Sequence, residues 1–128
     1  MRFPIPFLFI FLSLAAGARQ KDTLYQLYEA KQFPAIQQMN QDPAHPNYYF
    51  FKAAYANAVN KPDSSLYWLR TYLGRKKKPP KDMAFPYYNL EHDNYIRSFR
   101  FREAAATGTY LLRKFKSEYK DDEEKGIR

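Results

Sequence analysis

Two histidines are the residues of this chain best suited to acid–base or metal chemistry. His92 directly precedes Asp93, but consecutive residues on a helix point about 100° apart. The two side chains therefore do not form the hydrogen-bonded His–Asp pair of a Ser-His-Asp triad. His45 lies between Pro43 and Pro46 with no second ligand nearby. The chain has no cysteine, and two isolated histidines do not make a metal cluster. The sequence therefore predicts a non-enzymatic protein without metal or cofactor.

The acidic and basic residues form separate clusters along the chain. Asp121 to Glu124 are a run of carboxylates whose spacing lacks the glycine and the alternating ligand order of a calcium loop, so we expect residues 121–128 to be a solvated charged tail. The net charge of +8 favours anionic partners. Two prolines inside the main basic run favour an exposed loop, and the alternative is a contact with an anionic envelope polymer or lipid surface. This basic run consists of Arg75, Lys76, Lys77, Lys78 and Lys81.

Residues 1–18 have the pattern of a secretory signal peptide. Arg2 gives a positive start, residues 3–14 are almost wholly apolar, and Ala16-Gly17-Ala18 is an A-x-A cleavage pattern. The apolar stretch is shorter than the roughly 20 residues that a membrane span needs, and two prolines interrupt it, which leaves a retained signal anchor as the alternative. We expect an exported protein, periplasmic or extracellular, that is cleaved near Ala18. Export disfavours nucleic acid as the partner.

Apolar residues recur at steps of three and four along the rest of the chain, which predicts helices. Prolines and polar turns divide these segments into pairs, so we expect one all-α domain over residues 19–120 that consists of three helical hairpins. The predicted helices cover residues 24–31, 34–39, 48–59, 63–73, 83–98 and 103–119.

The last hairpin carries specific packing expectations. Gly108 lies inside its second helix and costs about 1 kcal/mol relative to alanine, so we expect it to mark a close contact between helices. Pro86 should lie in the first turn of the preceding helix. The residues that we expect in the core of this hairpin are Leu90, Tyr95, Ile96, Ala104, Ala105, Leu111, Leu112 and Phe115.

The second helices of the three hairpins begin alike, with Phe33-Pro34-Ala35-Ile36, Pro62-Asp63-Ser64-Ser65-Leu66 and Phe101-Arg102-Glu103-Ala104-Ala105. Ala35, Ser65 and Ala104 are 30 and 39 residues apart. A two-helix period in the mid-thirties is typical of stacked helical repeats. The chain resembles the tetratricopeptide (TPR) family, with matches at Ala53, Tyr95, Phe101 and Ala104.

The sequence also departs from the TPR pattern. Lys52 and Glu91 stand where the family has leucine, and Asn60 and Phe99 stand where it has the turn glycine. The resemblance implies stacked antiparallel helical hairpins, a short TPR-like solenoid after the signal peptide. The alternative is an unrelated packed bundle of five or six helices.

The TPR resemblance implies a concave surface lined by the first helix of each hairpin, which is where stacked repeats bind their partners. Asparagine can hydrogen-bond an extended peptide backbone, and arginine can hold a carboxylate by a bidentate contact. We therefore expect an interaction module that binds a peptide or protein. The resemblance assigns Asn57, Asn89, Asp93 and Arg97 to this surface.

A second resemblance keeps another function open. Asn57-Ala58-Val59-Asn60-Lys61-Pro62 followed by Ser65-Leu66, in an exported chain of degenerate hairpins, is similar to the helical leader of some secreted bacterial retropepsin-like aspartic proteases. These enzymes need an Asp-Thr/Ser-Gly loop, which does not occur here. On this interpretation the chain is a leader without its catalytic domain, and the adjacent DNA would encode that domain.

Overall fold

A computed structural model of the chain describes residues 20–117, and this part is all-α, with six α-helices, one short 3-10 helix and no strand. The signal peptide and the charged tail predicted for residues 1–18 and 121–128 lie outside the described residues. The all-α prediction is confirmed. The helices are α1 (Gln20–Glu29), α2 (Phe33–Met39), α3 (Tyr48–Ala58), α4 (Pro62–Leu73), the 3-10 helix Lys81–Met83, α5 (Ala84–Arg97) and α6 (Phe101–Lys114).

Proline helps to start three of these helices. Pro34 and Pro62 lie in the first two positions of α2 and α4, where a missing N–H costs nothing because helix starts leave these groups without intrahelical partners. Pro86 lies in the first turn of α5, as predicted. The last helix was predicted over 103–119, whereas α6 begins at Phe101 and ends at Lys114. Phe101, two residues before the predicted start, is thus helical.

The three hairpin turns have the same backbone geometry. One residue in each turn adopts a left-handed conformation, with φ of 58° at Lys31, 61° at Asn60 and 60° at Phe99. This conformation favours glycine, and it closes a helix when the N–H groups of the left-handed residue and of the residue after it bond back to the last turn. Asn60 and Phe99, the two residues that stand in place of the TPR turn glycine in the sequence, are two of these three left-handed residues.

The hydrogen bonds of the three turns are also equivalent. The left-handed residue donates to the carbonyl three residues back, and the next residue donates to the carbonyl five residues back, which is the Schellman motif. The three pairs are Lys31 to Tyr28 (3.0 Å) with Gln32 to Leu27 (2.9 Å), Asn60 to Asn57 (3.0 Å) with Lys61 to Ala56 (2.8 Å), and Phe99 to Ile96 (3.1 Å) with Arg100 to Tyr95 (2.8 Å).

These turns give the register of the second helices. Ile36, Ser65 and Ala104 each lie five residues after the left-handed residue of their hairpin. The N–H of each donates to the backbone carbonyl of the residue just before its helix. All three are buried. The sequence comparison had Ala35 in the first hairpin, which is wrong by one residue because α2 already begins at Phe33.

The hairpins pack in chain order. The first helices contact one another in the order α1, α3, α5, and α3 and α5 also pack against the second helix of the preceding hairpin. Each added hairpin therefore rests on both helices of the one before it. Aromatic rings fill the core between the first two hairpins, where Tyr28 meets Phe50 with ring centroids 5.3 Å apart and Phe50 meets Phe51 at 5.4 Å. Such edge-to-face pairs add to the stabilisation from buried area.

Three of the residues predicted for the core of the last hairpin are at the surface. Ile96 is 44% exposed and Leu112 is 62% exposed, and Ala105 is exposed as well. The buried stripe of α5 runs through Leu90 and Asn94, so Ile96, two residues further on, points to the opposite side. Ala105 and Leu112 each follow a buried residue by one position and are rotated away by about 100°. The predictions for Leu90, Ala104 and Leu111 are confirmed, and Tyr95 and Phe115 are half-buried.

Candidate functional site

A cleft of about 310 Å³ lies where the first helices α1, α3 and α5 meet. The α1–α2 turn contributes to one wall, and α5 forms the opposite wall. The cleft combines aromatic, amide and charged side chains, which is the composition of a site that orients a polar ligand against an apolar wall. Its lining residues are Tyr28, Glu29, Lys31, Phe33, Ala54, Asn57, Asn89, Leu90, His92 and Asp93.

The structure brings three of the four residues assigned to the concave surface into this cleft. Asn57, Asn89 and Asp93 line it. Arg97 does not line it, but its Nε donates to Oδ2 of Asp93 at 2.6 Å. Asn89 is exposed, whereas Asn57 is buried.

Sequence reasoning missed the wall that the first hairpin contributes. Tyr28, Glu29 and Phe33 line the cleft opposite α5. A signal for Tyr28 is present in the chain, since Tyr28 and Asn57 each lie three residues before the left-handed residue of their hairpin. The sequence comparison missed this equivalence because it aligned the first hairpin with the other two at Ala35 and not at the equivalent residue, Ile36.

A buried polar network fixes the floor of the cleft. Nδ2 of Asn57 donates to Oδ1 of Asn94 at 2.9 Å, and Nδ2 of Asn94 donates to Oγ of Ser65 at 2.7 Å. The Ser65 hydroxyl donates to the backbone carbonyl of Ala53 at 2.7 Å. Asn94 and Ser65 are fully buried. The network joins α3, α4 and α5, and a buried network with satisfied partners rigidifies the structure around it.

Asp93 extends the network to the surface. Its Oδ2 accepts from Nδ2 of Asn57 at 2.8 Å as well as from Arg97. The side chains of Asp93 and Arg97 are both about half exposed, so this ion pair contributes little to stability by itself. Its effect is geometric, because two donors on one oxygen hold the carboxylate at the wall of the cleft.

His92 is oriented by the last helix and not by Asp93. The Thr107 hydroxyl has one hydrogen, which the carbonyl oxygens of Glu103 and Ala104 accept at 3.1 Å, so the hydroxyl accepts from Nδ1 of His92 at 2.9 Å. This tautomer is assigned from the hydrogen-bond network. The side chains of His92 and Asp93 have different partners, as the spacing on a helix requires.

Gly108 lets α6 approach this histidine. A Cβ at position 108 would lie 3.0 Å from Cε1 of His92, closer than ordinary van der Waals contact. The predicted close helix contact at Gly108 is confirmed, and it seats the ring of a residue that lines the cleft.

The cleft has a low-polarity aromatic wall next to two carboxylates. Burial raises the pKa of Tyr28 to about 12, with smaller contributions from Tyr25, Asp93 and Glu29. The carboxylates of Asp93 and Glu29, on two sides of the cleft, thus both contribute to raising the pKa of the Tyr28 hydroxyl. The Tyr28 ring contacts Phe33 edge-on at 6.3 Å.

The predicted basic run forms a separate surface: four of its residues lie in the loop between α4 and the 3-10 helix, and Lys81 is the first residue of that 3-10 helix. All five of its cationic side chains, those of Arg75, Lys76, Lys77, Lys78 and Lys81, are exposed. Pro79 within this loop is buried. The expectation of an exposed loop is therefore confirmed.

Comparisons with known proteins identify no relative: no family model, curated protein or solved structure matches the chain. Within residues 20–117, His, Asp and Glu side chains form no group of three that could hold a metal ion. In the same part of the chain, no helix has the length and hydrophobicity to span a bilayer.

Proposed function

We propose that this protein is an exported, non-enzymatic interaction module: a short TPR-like solenoid that binds an extended segment of a peptide or protein in the cleft between α1, α3 and α5. The equivalent turns at Lys31, Asn60 and Phe99 support a repeat architecture, as does the packing of each hairpin on both helices of its predecessor. Under this proposal residues 1–18 direct the chain to the periplasm or the outside of the cell.

The observation that carries the proposal is the buried polar network under the cleft. Polar side chains buried at a helix interface cost free energy unless every partner is in place, so apolar residues would pack these helices more simply. Here Asn57, which also donates to Asn94, instead holds Asp93 at a fixed place on the cleft wall. A preformed site reduces the entropy lost on binding.

The chemistry of the cleft matches an extended peptide backbone. The exposed amide of Asn89 can donate and accept hydrogen bonds, as a backbone without strand partners requires. Tyr28 and Phe33 offer rings against which side chains of the segment can pack. Repeat proteins bind their partners along such concave surfaces.

A cleft-filling substitution tests this proposal. Asn89→Trp adds bulk to the cleft at an exposed position outside the buried network, and Thr109→Trp is the matched control on the exposed side of α6. The probe is a random library of nonapeptides with blocked ends, selected on the immobilised full chain. We expect the wild type and Thr109→Trp to enrich common peptides and Asn89→Trp to lose them. Equal enrichment by both variants would exclude the cleft as the binding site.

The exposed basic loop supports a second candidate function, contact with an anionic polymer or lipid surface. Five exposed cationic side chains lie together in this loop and at the start of the 3-10 helix, and Pro79 within the loop is buried. Such binding falls steeply with salt because exposed charges are screened within about 8 Å at physiological ionic strength. Sedimentation with vesicles that contain an anionic lipid tests it. Binding that is unchanged when Lys76, Lys77 and Lys78 are replaced by glutamine would rule it out.

A further inference from the structure

We infer that the cleft selects a cationic side chain, lysine or arginine, in the segment that it binds, with Glu29 and Asp93 as the recognising carboxylates. This inference rests on the proposed function and specifies the chemistry of the partner.

Carboxylates from two different hairpins line the cleft. Glu29 comes from the end of α1 and Asp93 from the middle of α5, so a ligand between these helices meets a negative group on both sides. Glu29 is exposed, and Asp93 is about half exposed. A cation placed between two carboxylates gains attraction from both without the full cost of burial.

The hydrogen bonds of Asp93 leave one of its oxygens for a ligand. Both Asn57 and Arg97 donate to Oδ2. Arg97 makes this contact through Nε alone, which differs from the bidentate pairing that would occupy both carboxylate oxygens. Oδ1 is therefore the oxygen that can accept from an ammonium or guanidinium group.

Aromatic rings complete the cation site. Tyr28 and Phe33 line the same cleft, and the faces of such rings attract cations within about 6 Å. The aliphatic stem of a lysine or arginine packs against the rings while its charged end reaches the carboxylates. A glutamate in the same place would meet two like charges.

The charges of the cleft differ from those of the whole chain. The net charge is +8, so the general field of the protein repels a basic peptide. Among the described residues that line the cleft, the carboxylates are those of Glu29 and Asp93 and the ammonium is that of Lys31, while Arg97, which pairs with Oδ2 of Asp93, lies outside the lining. A cationic residue is therefore recognised locally, and this favours one anchored residue over a uniformly basic segment.

The nonapeptide library also tests this inference. The variants are Glu29→Gln and Asp93→Asn, each of which removes one carboxylate but keeps a similar shape. Asp63→Asn, at an exposed position on α4, changes the net charge by the same amount outside the cleft. We expect the wild type and Asp63→Asn to enrich lysine or arginine at one peptide position by about threefold or more, and both cleft variants to lose most of this preference.

The outcomes separate the two proposals. If the wild type enriches peptides that lack a basic residue or that carry an acidic one, the selection of a cation is wrong. Peptide binding in the cleft would still stand. A basic preference that persists equally in Glu29→Gln and Asp93→Asn would also overturn it. If the wild type enriches nothing beyond Asn89→Trp, the cleft binds no peptide and both proposals fail.

Discussion

The side-chain amide of Asn57 donates a hydrogen bond of 2.9 Å to the side-chain oxygen of Asn94, so that the second and third hairpins are joined by a polar contact inside the protein. Asn94 in turn donates to Ser65. A satisfied network of buried side-chain hydrogen bonds specifies one arrangement of the helices that it joins. The position of α5 relative to α3, and with it the width of the cleft, depends on this pair.

Asn94→Ala should destabilise the protein by about 2–3 kcal/mol, because it removes two buried hydrogen bonds and leaves a small cavity. The measurement is urea unfolding followed by circular dichroism. Asn89→Ala is the matched control, since it is the same substitution on an exposed position of the same helix. It should change the free energy of unfolding by less than about 0.5 kcal/mol. Equal effects of the two substitutions would contradict the role of the network.

Gly108 and His92 should be energetically coupled. Alanine at position 108 gains about 1 kcal/mol of helix propensity, but its Cβ would lie 3.0 Å from Cε1 of His92. We expect Gly108→Ala to have little net effect in the wild type and to stabilise by about 1 kcal/mol when His92→Ala is also present. A double-mutant cycle by urea unfolding measures the coupling. An effect of Gly108→Ala that is the same in both backgrounds would show that the ring does not restrict this contact.

Phe99→Gly should stabilise the protein relative to Phe99→Ala by about 1 kcal/mol. Phe99 has a φ of 60° and is 77% exposed, so its side chain gains little from packing while its backbone is in a conformation that favours glycine. Alanine keeps the Cβ and is therefore the matched reference. Thermal unfolding of the two variants provides the comparison. A more stable alanine variant would contradict the left-handed turn.

The protein should lose stability in alkaline solution between about pH 10 and pH 12. Burial raises the pKa of Tyr28 to about 12 from the ordinary value of 10.0, and burial likewise raises the pKa of Tyr72 to about 12. The folded state holds these protons more tightly than the unfolded state, so their contribution is fully present below pH 10 and is lost as the pH rises to 12.

Tyr28→Phe tests this pH dependence. The variant lacks the ionisable hydroxyl and should lose less stability between pH 10 and pH 12 than the wild type does, as measured by urea unfolding at each pH. Tyr67→Phe removes a hydroxyl from an exposed ring and should leave the slope unchanged. If both variants keep the wild-type slope, Tyr28 is not among the groups that cause it.

The helices and their pairing could be predicted from sequence because local signals specify them. The three- and four-residue spacing of apolar residues gave the number of helices, and Pro34 and Pro62 marked the starts of α2 and α4. The face of each helix was harder to predict. Ile96 and Leu112 were assigned to the core by hydrophobicity alone, although Asn94 occupies the buried stripe and a polar residue gives no such signal.

The candidate site was predictable only in part. The repeat comparison identified Asn57, Asn89 and Asp93, which lie on the helices that align best. It missed Tyr28 and Glu29 because their hairpin is short and its register was taken from Ala35 instead of Ile36. Contacts between residues more than thirty positions apart, such as that of Asn57 with Asn94, depend on how the hairpins stack, and no local pattern encodes that.

Photo-crosslinking tests peptide binding in the cleft most directly. A benzophenone amino acid in place of Asn89 puts the reactive group into the cleft, and the same group in place of Thr109 puts it on the exposed side of α6. Both variants are expressed as the full chain and irradiated in intact cells, and the adducts are identified by mass spectrometry. We predict a discrete adduct from position 89, attached to one segment of a partner, and none from position 109. Equal adduct yields from the two positions, or no adduct at position 89, would contradict the account.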